Sequence, residues 1–338
     1  MYFAHELNRT LVLPNFIEYH YPNTVIRPFE TIFEVSEMLK YQKVIKMMEF
    51  AKEIMNTIWP EENRTAFCWS PRKSAYNKSA PTGCHAKEGN PSVPYWDNIG
   101  VSFHKDAYFG DLLGGYDLTT PGLKAAWLQR FPPSDFPVLA FPSPPAPFPS
   151  RASTWSLQRY LKWNSIIADR ANQFVENELL SPFVAVHLRN DRDWDQVCEL
   201  LSSHSSHGPL FASMQCDGEA NYNGVLTQEI CSPSKKTIVE QVTEVVRKIG
   251  ASSVFVSSDR DHMIKDFNKA LQTYKVKIHR LIPDDPLLSL AIFAKADHFI
   301  GNCISTFSHF ARRERDSEEP RKPTSYFGIR HRSKLSEL

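Results

Sequence analysis

Phe183-Val-Ala-Val-His-Leu-Arg-Asn-Asp-Arg-Asp-Trp-Asp-Gln-Val-Cys198 opens as an apolar, β-branched run and ends abruptly in charge. Such a run reads as a strand covered on both faces, as in a parallel sheet. His187, Arg189, Asp191, Arg192, Asp193 and Trp194 stand at or just past its C-terminal end. That is where an open α/β sheet gathers its ligand groups. Arg189 carries a planar fork of donors that suits phosphate oxygens, so the first expectation is an anionic, nucleotide-bearing ligand. The alternatives are an ion pair of Arg189 with Asp191 or Asp193, and a satisfied core histidine at His187.

Downstream, the chain keeps a βα rhythm. Lys235–Ile249 has Ile238, Val242, Val245 and Ile249 on one face and Gly250 as a stop, which predicts a helix. Residues 253–256, 276–281 and 298–300 read as strands, and 286–294 and 308–315 as helices. Asp259 is placed to cap a helix running through Met263, Phe267 and Leu271. Strands alternating with helices predict a parallel sheet with right-handed crossovers. Three strand ends finish in polar groups: His187 with Arg189, Ser257-Ser258-Asp259, and Gly301-Asn302 leading to Ser305-Thr306. In a doubly wound sheet these converge on one edge. The third turns from a strand into a helix, so free N–H groups and two hydroxyls form a phosphate site. A plain N-cap by Ser305 or Thr306, worth about 1 kcal/mol, is the alternative.

The first half is more mixed. Residues 11–14 read as a short strand following a helix tail, and 33–58 have helical spacing through Val44, Ile45, Met48 and Ile54. Residues 69–98, rich in Ser, Pro, Gly and Asn, read as a loop. Residues 138–141 read as a strand that runs into the proline-rich 142–149, a surface connection. Residues 155–179 read as one long helix joining the two halves, with Trp155, Leu157, Leu161, Ile166 and Phe174 at helical spacing.

Composition narrows the function. With 39 basic and 38 acidic residues among 338, the chain has no basic footprint for nucleic acid. No apolar run reaches the roughly 18 residues of a membrane helix. Met1-Tyr-Phe-Ala-His-Glu6 is not a secretory signal. The six cysteines form no CxxC pair, which argues against a zinc knuckle, and no metal site is expected. Their even number suits three disulfides, although buried reduced thiols are the alternative. Asn8, Asn63 and Asn77 head glycosylation sequons, meaningful only in a secretory lumen. The terminal Ser336-Glu-Leu338 is a loose retention signal or an ordinary polar tail.

Four ordered segments carry a resemblance. They are His187-Leu-Arg189 with Asp193-Trp194, Cys84-His-Ala-Lys-Glu-Gly-Asn-Pro91, Phe131-Pro-Pro-Ser-Asp-Phe-Pro-Val-Leu-Ala140, and Ala296-Asp-His-Phe-Ile-Gly-Asn-Cys-Ile-Ser-Thr-Phe307 followed by Arg313-Glu-Arg-Asp316. Together they resemble the GDP-fucose protein O-fucosyltransferases, the type 1 family acting on EGF-like repeats, from about residue 1 to the C-terminus. The resemblance implies an α/β, GT-B-type glycosyltransferase of two Rossmann-like domains facing a cleft. Residues 1–180 would be the acceptor side, incomplete at its start, and 181–338 the GDP-fucose side. The implied activity is inverting transfer of fucose to Ser or Thr of EGF-like repeats, as on Notch-type receptors, in the endoplasmic reticulum lumen. It implies no cofactor, GDP-fucose being the donor substrate.

The same resemblance assigns His187 and Arg189 to the diphosphate and fucose, with Arg189 catalytic. Ser305, Thr306 and Phe307 fall to the nucleotide's phosphates. Asp193 is a candidate at the acceptor hydroxyl or an orienter of Arg189. Trp194 and Phe211 are candidates for the acceptor groove, with ordinary packing as the alternative. The implied disulfides are Cys68–Cys84, Cys198–Cys231 and Cys216–Cys303. Two departures stand out. Some members place an Asp in the helix before Ala296-Asp-His where this chain has Ser289, leaving Asp284 or Asp285 as substitutes for the guanine contact. The family's Gly-rich G-R-F-G-N-Q segment has no counterpart, so an upstream strand and signal peptide are expected to be missing from this chain. A non-catalytic EGF-repeat chaperone and a transferase using another nucleotide sugar are the competing functions.

Overall fold

A computed structural model describes residues 1–20, 23–88, 93–146, 151–203, 216 and 226–329. The chain divides into two α/β units. The first comprises Met1–Ser150 with Tyr160–Asn164, the second Arg151–Arg159 with Ser165–Leu338. The expected division at 180 differs from this one over 151–159 and 165–180. The helix Ser165–Glu178 packs in the second unit, against the helix Pro286–Lys295.

In the first unit, Leu11–Leu13 pairs in parallel with Val44–Lys46, and Thr65–Cys68 with Lys105–Tyr108. Phe16–His20 and Asn23–Arg27 form an antiparallel hairpin. The core is aromatic: Phe3, Phe67, Phe109, Trp127 and Phe131 are buried together, with Phe3 and Trp127 edge to face at 5.0 Å. The Cys68–Cys84 disulfide closes the loop that begins at residue 69.

Three expectations fail here, the two helical ones because long-range contacts outcompete local helix preference. Residues 33–58 are not one helix, because Val44–Lys46 is drawn into the parallel pair with Leu11–Leu13. Helical turns remain at Val35–Leu39 and from Met47 to Ile58, with a wide turn at Phe50–Ile54. Residues 155–179 form a 3-10 helix, Ala152–Tyr160, and an α-helix, Ser165–Glu178. The break falls where the Asn164 amide donates to the carbonyls of Glu30 and Thr31 and its N–H to that of Ile32. Of 138–141, Ala140 alone forms a β-bridge, to Ala66.

The second unit carries a five-stranded sheet, parallel throughout. In space its strands run Thr324–Tyr326, His298–Gly301, Phe183–Leu188, Ser253–Ser258 and Lys277–His279. Phe183–Leu188 is central and buried at every position, as its unbroken apolar run predicts. Lys235–Ile249 covers one face through Ile238, Val242, Val245 and Val246. Ser234 caps its N-terminus by accepting from the Thr237 N–H at 3.2 Å, and Gly250 ends it at φ +63°, a value that suits glycine. Later strands add on one side of Phe183–Leu188 and then on the other. The order therefore reverses between Phe183–Leu188 and His298–Gly301, the switch point at which doubly wound sheets bind ligands.

Candidate donor site

The expected convergence of three strand ends is present. Leu188 pairs with Ser258 and Val186 with Ile300, so Gly301 lies level with His187. Leu188, Arg189, Asn190 and Asn302 share the lining of a small cavity of about 20 Å³. Asn190 ties the first two ends together. Its N–H donates to Asp259 Oδ1 at 2.9 Å, its amide to the carbonyl of Asp261 at 2.7 Å, and its Oδ1 accepts from Ser258 at 2.7 Å.

Arg189 sits between two carboxylates. It donates to Asp259 and, at 3.1 Å, to Asp193 one helical turn on. The two differ in freedom. Asp259 is also held by the Asn190 N–H, whereas the Asp193 side chain is 68% exposed. The guanidinium carbon also lies 5.2 Å from the centroid of the Trp194 ring, a cation–π contact worth about 0.5–1 kcal/mol at exposed sites. Trp194 is buried, and its indole donates to the Cys231 carbonyl at 3.0 Å. The expected cap at Asp259 is corrected: the carboxylate is taken by Arg189 and Asn190, the N-cap of Ile264–Leu271 is Met263, which makes no side-chain cap bond, and Asp261 accepts from the Met263 N–H at 2.9 Å.

His187 is 5% exposed, with Phe307 at 4.8 Å and Phe293 at 6.0 Å between ring centroids. Burial, helped by the Arg189 charge and opposed by that of Asp259, pushes its pKa down to about 4. It is neutral at physiological pH.

The turn after His298–Gly301 is built by Asn302, which is buried. Its Oδ1 accepts from the N–H groups of Ile304 at 3.0 Å and Ser305 at 3.2 Å. Its amide donates to the Cys231 carbonyl at 2.7 Å. Ser305 occupies the N-cap of Thr306–Asp316 but makes no side-chain cap bond, so the plain-cap alternative is not what the hydroxyl does. Thr306 is exposed and Phe307 half-buried. The first N–H groups of a helix have no intrahelical acceptor, and they carry the positive end of its dipole. His187, Arg189, Ser305, Thr306 and Phe307 thus meet at one edge of the sheet, with Asp193 beside Arg189.

Asp284 lies 3.0 Å from Nε2 of His262, whose Nδ1 faces Arg280 at 3.1 Å. Asp285 caps Pro286–Lys295 and pairs with Arg170 at 3.0 Å. Ser289 is buried on that helix. Phe211 lies outside the described residues. The partners of Asn190, Asn302 and Ser308 escape a sequence reading, because short polar side chains at strand ends and in the first turn of a helix look like ordinary turn formers and caps.

All three expected disulfides are present: Cys68–Cys84, Cys198–Cys231 and Cys216–Cys303. The last two flank the site, since Cys303 lies in the turn after His298–Gly301 and the Cys231 carbonyl joins that turn to Trp194. The sequon residues Asn8, Asn63 and Asn77 are exposed. Among the described residues, no group of three or more His, Cys, Asp or Glu side chains is arranged to hold a metal, and no helix is long and apolar enough to cross a membrane.

Comparisons with known proteins agree with one another. Residues 1–318 match the family model described as GDP-fucose protein O-fucosyltransferase. The chain is 56% identical over 330 residues to GDP-fucose protein O-fucosyltransferase 1 of Caenorhabditis elegans, covering 97% of this chain and 84% of that protein. Among solved structures it resembles POFUT1 in complex with GDP-fucose, at 54% identity and a TM-score of 0.90, over 97% of this chain and 92% of that one. It resembles POFUT1 in complex with GDP at 54% identity and a TM-score of 0.88, over the same shares of each chain.

Proposed function

The chain belongs to the GDP-fucose protein O-fucosyltransferase family, a glycosyltransferase of GT-B-like fold, and we propose that it moves fucose from GDP-fucose to Ser or Thr of folded EGF-like repeats with inversion. The observation that carries this reading is the meeting of Arg189 with the Asn302-built helix turn at the sheet's switch point. A diphosphate placed there meets a guanidinium fork and free helix N–H groups. Charge grows on the diphosphate as the fucose C1–O bond breaks. Arg189 is the catalytic residue that takes up that charge, a pre-organised donor worth about 3–4 kcal/mol in the transition state. Asp259 holds its guanidinium, and Asp193 is the exchangeable partner that an incoming phosphate replaces. Ser305, Thr306 and Phe307 bind the phosphates, and His187 supplies a hydrogen bond from beneath.

Three disulfides and exposed sequons at Asn8, Asn63 and Asn77 fit an oxidising lumen, and we place the protein in the endoplasmic reticulum, with Notch-type receptors as acceptors. Calorimetric titration with GDP-fucose, GDP-mannose and UDP-sugars, followed by a transfer assay on a folded EGF-like repeat, tests the reading. Selective GDP-fucose binding with transfer is expected. Binding of another sugar nucleotide in preference, or donor binding without transfer, would overturn it.

A further inference from the structure

The donor turn holds a hydroxyl that the chemistry above leaves unused. Ser308, on the first turn of Thr306–Asp316, is fully buried. Its Oγ accepts from the Asn302 N–H at 3.0 Å and lies 2.7 Å from Nδ1 of His187. The approach depends on Gly301: a Cβ there would stand 2.5 Å from this oxygen. A serine hydroxyl has one hydrogen to give and two lone pairs to receive. A backbone N–H only donates, so Ser308 is the acceptor toward Asn302. Its own hydrogen, buried, needs an acceptor in turn. Among the described hydrogen bonds, His187 Nδ1 is the partner that can take it. A neutral imidazole that accepts at Nδ1 carries its proton on Nε2.

We propose that Ser308 is a positioning residue that fixes His187 as the Nε2–H tautomer and so presents a hydrogen-bond donor to the sugar nucleotide. The proposal rests on His187 being a donor-site ligand. The opposite tautomer would turn a lone pair toward an anionic ligand. The Phe307 and Phe293 rings confine the imidazole, so the tautomer cannot readily be exchanged by turning the ring.

Two-bond 1H–15N correlation spectra of the full chain, labelled with 15N-histidine and assigned with His187→Asn, read the tautomer directly without a ligand. Steady-state kinetics on Ser308→Ala and Ser308→Thr read its consequence. The wild-type spectrum should show Nε2–H at neutral pH. Ser308→Ala should lose that signature and raise KM for GDP-fucose about tenfold, with a smaller change in kcat, as expected for a lost bond to a charged group. Ser308→Thr, which keeps the hydroxyl, should restore both. An Nδ1–H wild-type tautomer in a chain that binds GDP-fucose would overturn the role of Ser308 alone, and so would unchanged kinetics in Ser308→Ala. Failure of the wild-type chain to bind GDP-fucose would overturn the donor-site reading on which the role depends.

Discussion

The Asn302 amide donates to the backbone carbonyl of Cys231 at 2.7 Å, and the same carbonyl accepts from the Trp194 indole at 3.0 Å. Cys231 is bonded to Cys198, which lies on the helix Arg192–Ser203 with Trp194. One carbonyl therefore joins the helix after Phe183–Leu188 to the turn after His298–Gly301. Asn302→Ala should cost about 1–3 kcal/mol, since it removes both the Oδ1 that accepts from the Ile304 and Ser305 N–H groups and the amide that donates to the Cys231 carbonyl, leaving Ser305 its bond to the Asn302 backbone carbonyl. Asn302→Asp should bind GDP still more weakly than the alanine variant. It keeps the acceptor but sets a carboxylate against the Cys231 carbonyl and beside the phosphates. Thermal melts and calorimetric titration with GDP check both, and equal GDP affinity in all three proteins would remove Asn302 from this role.

Arg189→Ala should lower turnover by roughly 100-fold or more. Arg189→Lys should not rescue it, because an ammonium cannot make the planar bidentate fork. Steady-state rates on a folded EGF-like repeat decide the matter. Near-normal turnover in either variant would take Arg189 out of catalysis.

Gly301→Ala should destabilise the chain by about 1–3 kcal/mol through overpacking, since the new methyl meets both the Oγ and the Cβ of Ser308, at 2.5 and 2.8 Å. Because Ser308 contacts His187, the same change should weaken GDP-fucose binding more than it lowers the melting temperature would suggest. A variant that melts lower but binds normally would show that the damage stays in the strand.

Acid should destabilise this protein well before its carboxylates titrate. Burial is the largest cause that lowers the pKa of His187 and His298 to about 4 and of His309 to about 3. Unfolded, each titrates near its ordinary value of about 6.5. Above that pH all three are neutral in both states, and the stability is fully present. Between about 6.5 and 4 the unfolded chain takes up protons that the folded chain refuses, so stability falls by up to about 1.4 kcal/mol per pH unit for each histidine. Denaturant melts at pH 7.5 and pH 5 should differ accordingly, and His298→Asn should reduce that difference. A flat profile over this range would show that the rings protonate freely in the folded state.

The βα rhythm of the second unit was legible because each element is long and periodic. Phe183–Leu188 needs only its own composition to read as a doubly covered strand, and Lys235–Ile249 carries its cap, its apolar face and its glycine stop within itself. The first unit was less legible. Its strands are short, and Val44–Lys46 leaves a helical pattern only because Leu11–Leu13 lies alongside.

Local pattern determined, from the residues alone, the parallel sheet and its polar strand ends, and it left the 301–307 turn open between a plain helix cap and an anion site, a choice that the family resemblance tipped. The tertiary structure decided the partners. Asp259 reads as a helix cap until strand register brings it to Arg189, 70 residues away. Ser308 reads as one polar residue among several on a helix until Gly301 admits it to His187, 121 residues away. Secondary structure follows from interactions within a few residues, which a sequence displays directly. A short polar side chain can satisfy its hydrogen bonds in many ways, and which one it takes is settled only when burial removes water as a partner and the fold supplies the other.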